Sequence, residues 1–172
     1  MNQRWRNQAF LKKEKTGFTL VELLVSIMVI ITLSAVLLPN YNNFRSQFAL
    51  LRSAHKLSQD LRRAQEMASS AKETMGTVPP FYGVYLQAGT DYYTFHFGEH
   101  ALFKTIYLED KIYIKEISPS FFDFLWIRFE GPNPTTSFFP DGELATITLA
   151  IEDSPEITKR VIVNKAGLIY AE

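Results

Sequence analysis

Glu22 is the only ionisable side chain in an apolar run of 21 residues, FTLVELLVSIMVIITLSAVLL, from 18 to 38. A carboxylate deep in a bilayer costs roughly 2.5–3.5 kcal/mol, and less near the interface, so it needs a cation at its own depth. The run contains no Lys, Arg or His. A free α-amine at Phe18 of a neighbouring chain would supply that cation, and it exists only once the chain is cut after Gly17. Gly17 suits such a cut, because a backbone without Cβ enters a narrow peptidase site in extended form. On that reading Glu22 would form an ion pair with a chain end that only a proteolytic cut between Gly17 and Phe18 creates. The alternative is a lone acid that reaches the headgroups from the first turn of a helix.

The elements that must position these groups follow from charge and hydropathy. Residues 1–17 carry Arg4, Arg6, Lys12, Lys13 and Lys15 against Glu14, a net +4. The whole chain of 172 residues has 18 basic and 18 acidic side chains, so the remaining 155 residues sum to −4. As a helix, 18–38 would measure about 31 Å at roughly 1.5 Å per residue, close to the hydrocarbon thickness of a bilayer. The basic flank orients it with 1–17 in the cytoplasm and the rest outside, a single-pass topology. A cleaved secretory signal would have a shorter apolar region and a small-x-small site after it; here Leu38-Pro39-Asn40-Tyr41 follows. A plain signal anchor leaves Glu22 unexplained, and a buried core helix would show a polar face.

Enzymatic chemistry finds no footing. The chain has no cysteine, so a thiolate nucleophile, a disulfide and a thiolate metal site are all excluded. His55, His96 and His100 lack metalloprotease spacing, and no G-x-S-x-G or phosphate-binding glycine loop is present. Asp141, Glu143, Glu152 and Asp153 lack the spacing of a calcium loop; turn formation accounts for Asp141-Gly142. No catalytic, cofactor-binding or metal-binding residue is therefore expected. Charge balance argues against a general nucleic-acid binder, and Arg62-Arg63 reads as a solvated face or a partner contact.

Beyond Pro39, a residue that deletes a helical hydrogen bond and bends a helix, the period is helical again. Ala54, Leu57, Leu61, Ala64, Ala68, Ala71 and Met75 step by 3, 4, 3, 4, 3 and 4, one apolar face of an amphipathic helix. Tyr41, Phe44, Phe48 and Leu51 lead into that stripe. Gly76 is placed to cap the helix and Pro79-Pro80 to stop it. From Phe81 the period shifts toward two, and eight strands are expected: Phe81–Gln87, Tyr92–Phe97, 102–108, 111–117, 124–129, Leu144–Ile151, 158–163 and 168–171. Phe121, Phe122, Phe138 and Phe139 sit in loop-like contexts. The division is a leader at 1–17, a transmembrane helix at 18–38, its amphipathic continuation at 39–76 and a β-rich extracytoplasmic domain at 77–172. The class is α+β, a long N-terminal helix packed on antiparallel sheet.

Lys15-Thr16-Gly17-Phe18-Thr19-Leu20-Val21-Glu22 resembles the processing motif of type IV prepilins and type II secretion pseudopilins. That resemblance implies a pilin-like fold and a non-enzymatic structural subunit of a pilus or secretion pseudopilus. It implies cleavage by a prepilin peptidase after Gly17 and N-methylation of Phe18. Glu22 would pair with a neighbour's N-terminus in assembly, and Pro39 would kink the helix. Partners would be the peptidase, other pilins in a filament and an assembly platform in the membrane. Thr16, rather than a basic residue, precedes Gly17 here. Phe138-Phe139-Pro140-Asp141-Gly142, Arg160-Val161-Ile162-Val163-Asn164 and Asp60-Leu61-Arg62-Arg63-Ala64 are similar to the GspH/FimT-like minor pseudopilins. Some of that subgroup end in an Arg-rich strand linked to DNA binding, which makes a DNA-binding minor pilin of natural transformation the alternative. The matching stretch here, Gly167-Leu168-Ile169-Tyr170-Ala171-Glu172, has no basic residue.

Overall fold

A computed structural model describes residues 17–70, 78–98, 101–120, 122–131 and 135–172, without the side chains of 36–43 and 101–103. The leader before Gly17, Ala71, Met75, Gly76, His100 and Phe121 thus lie outside the described residues, as does the side chain of Pro39. One helix, α1 (Leu20–Ser69), is followed by nine strands: β1 (Phe81–Gln87), β2 (Tyr92–Phe97), β3 (Ala101–Tyr107), β4 (Ile112–Ser118), β5 (Phe124–Glu130), β6 (Thr135–Phe139), β7 (Leu144–Ile151), β8 (Ser154–Asn164) and β9 (Ile169–Ala171). Two compact units are present, Met1–Tyr41 and Asn42–Glu172. The strands form two antiparallel sheets, β3-β2-β1-β5-β6 and β4-β7-β8-β9. The class is α+β, as expected.

In the second unit the 3–4 stripe does what its spacing implies. Ala54, Leu57, Leu61, Ala64 and Ala68 are all at most 1% exposed, in one core with Tyr82, Val84, Leu86, Leu125, Ile127 and Phe129 of the first sheet and Ile147, Leu149, Val161 and Val163 of the second. The lead-in differs. Phe44 and Phe48 are 58% and 61% exposed, and the stripe continues backward through Leu50, not Leu51. Leu50 lies four residues before Ala54, which keeps it on the buried face; Phe44, Phe48 and Leu51 lie about 130° around the helix from that face.

Polar contacts fix how far the helix slides along the sheets. Arg52 pairs with Glu109 (2.7 Å) and the Lys56 ammonium donates to the Tyr107 carbonyl (3.2 Å). At the other end Arg62 Nη2 donates to the Ile169 carbonyl (2.7 Å) and Gln65 Nε2 to the Gly167 carbonyl (3.1 Å). Between them the Tyr93 hydroxyl donates to Asp60 (2.6 Å). Burial, with Asp60 adding to it, raises the phenol far above its ordinary value, so Tyr93 stays a neutral donor. Gly131, just after β5, meets the helix backbone itself. A Cβ there would lie 2.2 Å from the Ala68 carbonyl oxygen, so only glycine permits this approach.

Two expectations about strands need correction. Thr135–Phe139 is a strand, paired with β5 from Trp126↔Phe139 to Glu130↔Thr135, where loop was expected. Its five residues are flanked by Pro134 and Pro140, which read locally as loop. Pairing with β5 overrides that reading, burying Phe138 while leaving Phe139 49% exposed. β8 begins at Ser154, not at 158, because its hairpin with β7 closes at Ile151↔Ser154, beyond a register shift at Ala150/Ile151. The register shift carries Pro155 into the strand at its end, where a missing donor is tolerated.

Candidate processing and assembly site

Gly17, Phe18 and Thr19 are non-helical and α1 begins at Leu20. The Glu22 backbone N–H donates to Thr19 Oγ1 (3.2 Å), and Leu23 N–H to the Thr19 carbonyl (3.2 Å). Thr19 is thus the N-cap and Glu22 the third helical residue, a Thr-x-x-Glu arrangement that starts helices. This role of Glu22 was not part of the sequence reading, although T-L-V-E is its signature. It brings the carboxylate to the positive end of the helix dipole, where negative charge is stabilised. An α-ammonium at Phe18 would sit at that same positive end, disfavoured by its own helix. The Gly17–Phe18 bond lies outside the helix, ahead of the Thr19 cap, so cutting it removes nothing the helix start depends on.

The apolar run beyond is bare. Phe18 is 77% exposed, and from Leu20 to Leu33 every large apolar side chain is exposed. Two of its hydroxyls are satisfied internally: Ser26 donates to the Glu22 carbonyl and Thr32 to the Met28 carbonyl, so neither needs water. Among the described residues no helix is long and apolar enough to cross a membrane. The described side chains stop at Ala35, three residues before the apolar run ends at Leu38.

Elsewhere the singled-out residues are structural. Lys165 pairs with Asp141 and with Glu143 (3.2 Å each), and Lys111 pairs with Asp153. Among the described residues no cluster could hold a metal ion. Arg62 serves the C-terminal strand, and His55 is exposed on α1. Phe122 is 82% exposed in the turn before β5.

His96 lies on β2 with Nε2 against Thr94 Oγ1 (2.9 Å). Burial pushes its imidazole below the ordinary 6.5. Between that lowered value and 6.5 the unfolded chain holds more protons than the folded one. The stability is therefore complete above pH 6.5 and falls as the pH drops through the window. Thermal unfolding followed by circular dichroism should show a midpoint that declines on acidification from about pH 6.5. His96→Gln should remove that part of the decline.

Comparison with known proteins agrees with this geometry at two levels. The family described as the prokaryotic N-terminal methylation motif matches residues 12–38. No curated protein matches the sequence. Two crystal forms of the type IV minor pilin FimU of Pseudomonas aeruginosa are similar in structure. The first gives a TM-score of 0.50 at 15% identity over 75% of this chain and 92% of that one. The second gives 0.47 at 16% identity over 72% and 92%. At such identities the first likeness speaks for the fold, a helix packed on antiparallel sheets, and the motif speaks for the N-terminus. Neither is that of an enzyme family. The chain thus joins a prokaryotic N-terminal methylation motif to a fold like that of a type IV minor pilin.

Proposed function

We propose that the chain is a minor pilin or pseudopilin, a structural subunit of a type IV pilus or a type II secretion pseudopilus. The carrying observation is an apolar helix whose described large side chains are all uncovered, headed by Glu22 and preceded by a non-helical Gly17–Phe18 bond. Before assembly that helix lies in the inner membrane, leader inside and β domain outside. A prepilin peptidase cuts after Gly17 and methylates Phe18. An assembly platform then moves the chain into a filament, where the helices of sister pilins cover one another. Apolar burial contributes roughly 25 cal/mol per Å², and Glu22 meets a neighbour's α-ammonium. Pro39 removes one backbone hydrogen bond and lets the helix flex between anchor and domain. The exposed Phe44, Phe48 and Leu51 offer a further apolar face to sister subunits.

Intact-mass spectrometry of membrane-extracted protein tests the processing step. The expected species lacks residues 1–17 and carries one added methyl on Phe18; a chain still bearing its leader would overturn the reading. DNA binding is the weaker reading, since Arg62 of the Arg62-Arg63 pair donates to the Ile169 carbonyl and residues 18–172 sum to −4.

A further inference from the structure

The five-stranded sheet has a second face, turned away from α1. Tyr82, Val84, Leu86, Leu125, Ile127 and Phe129 point into the core with the helix. The alternate residues of the same strands occupy the other side. Cross-strand pairing sets them in rows: His96, Gly83, Arg128 and Ser137 form one, and Thr94, Tyr85, Trp126 and Phe139 the next. Tyr85, Phe124 and Phe139 stack in sequence, with centroids 5.7 and 5.8 Å apart and planes within 27°. The Trp126 ring leans over Gly83, whose Cβ would lie 2.8 Å from the indole nitrogen. The Arg128 guanidinium covers Trp126 at 4.3 Å and Phe81 at 5.0 Å.

Two donors on this face go unanswered. Among the described residues the Trp126 Nε1 and Arg128 Nε donors are buried without a hydrogen-bond partner. Among the described residues Arg128 makes no ion pair, although Glu130 lies two residues along on the same face. Unpaired buried donors are rare in folded proteins and call for an explanation. A planar guanidinium fixed on an indole keeps its fork preorganised for one carboxylate. Beside it Phe139 offers an open ring, and Gln87, Thr135 and Ser137 form a polar rim.

We propose that this outer face binds a uronic-acid saccharide, with the sugar carboxylate on Arg128 and the apolar face of the sugar ring against Phe139. Among the described residues no acidic side chain engages that guanidinium, so its fork is open to a ligand carboxylate. A protein partner fits less well. The rings largely cover one another, and Phe139 alone is half exposed, far short of the ~800 Å² per side of a standard interface. A nucleic acid fits less well still, with one cation on the face and a processed chain at −4. In a filament built on α1 the face would look outward, toward ligands in the medium. That orientation rests on the proposed assembly; the binding itself does not.

The test uses the full-length Trp5→Phe chain in detergent micelles, where Trp126 is the sole tryptophan. Its fluorescence is titrated with glucuronate, methyl glucoside, acetate and an acidic peptide. Glucuronate should give a saturable change, with methyl glucoside and acetate each at least tenfold weaker. Arg128→Gln and Phe139→Ala should each weaken glucuronate at least tenfold with an unchanged circular dichroism spectrum, and Arg128→Lys should recover only part. No saturable change, equal responses to acetate and glucuronate, or a response untouched by Arg128→Gln overturns the proposal, and so does tighter binding of the acidic peptide. None of these results bears on leader removal or on Glu22, so the assembly reading stands or falls separately.

Discussion

Replacing Glu22 by alanine should leave the β domain folded and cut recovery of the protein in sheared filaments by tenfold or more. In the proposed assembly Glu22 faces a neighbour's α-ammonium with apolar helices around both. Removing one member of a buried, hydrogen-bonded charge pair costs about 2–5 kcal/mol, because the other charge is left unmatched. Glu22 also occupies the third position after the Thr19 cap, so alanine alone does not separate charge from capping. Glu22→Gln does. Glutamine at that position can still serve a capping arrangement and carries no charge. If pairing is what matters, Gln is as defective as Ala. Wild-type incorporation of Glu22→Gln, read by immunoblot of the sheared fraction against the membrane fraction, would reduce Glu22 to a helix-start residue and remove the proposed pairing.

The second large effect is on stability. Leu61 is fully buried at the middle of the α1 stripe, in the core that both sheets share. Leu61→Ala should lower the unfolding free energy of the domain by about 2–5 kcal/mol, the lost transfer energy plus the cavity left behind. That is a large share of the ~5–15 kcal/mol typical of a domain. Phe48→Ala is the control. Its ring is larger but 61% exposed, and surface substitutions usually stay within about 0.5 kcal/mol. Denaturant titration of the full chain in micelles, followed by circular dichroism, should show the first shift and not the second. Equal shifts would mean that Phe48 packs on the domain as Leu61 does.

The contrast between Leu61 and Phe48 shows where periodicity is informative. Steps of 3 and 4 name a single face because a helix turns 100° per residue, so Leu57, Leu61, Ala64 and Ala68 were legible as core without any coordinates. Phe44 and Phe48 obey a similar spacing on a different azimuth. Hydrophobicity alone does not say whether a stripe meets its own domain or waits for another chain. Strands with regular alternation were equally legible: β1, β2 and β7 lie where the pattern put them. β6 was not, since two prolines flank it and its register depends on β5.

At the N-terminus the matched motif is a property of linear order alone. A basic leader, Gly17-Phe18, an acid at 22 and an unbroken apolar run are all local features, and each acts through covalent order or through a solvent boundary. The Thr19 cap is local in the same sense, a contact across three residues. The rest needed the fold. Gly131 is special because the Ala68 carbonyl, 63 residues away in the chain, stands where its side chain would be. Arg128 becomes a cation without an acid because β1 and β5 bring Phe81, Gly83 and Trp126 beneath it. Contacts between distant residues depend on strand register and helix docking, which arise from many weak burial terms summed over the whole domain, and no short window of sequence contains that sum.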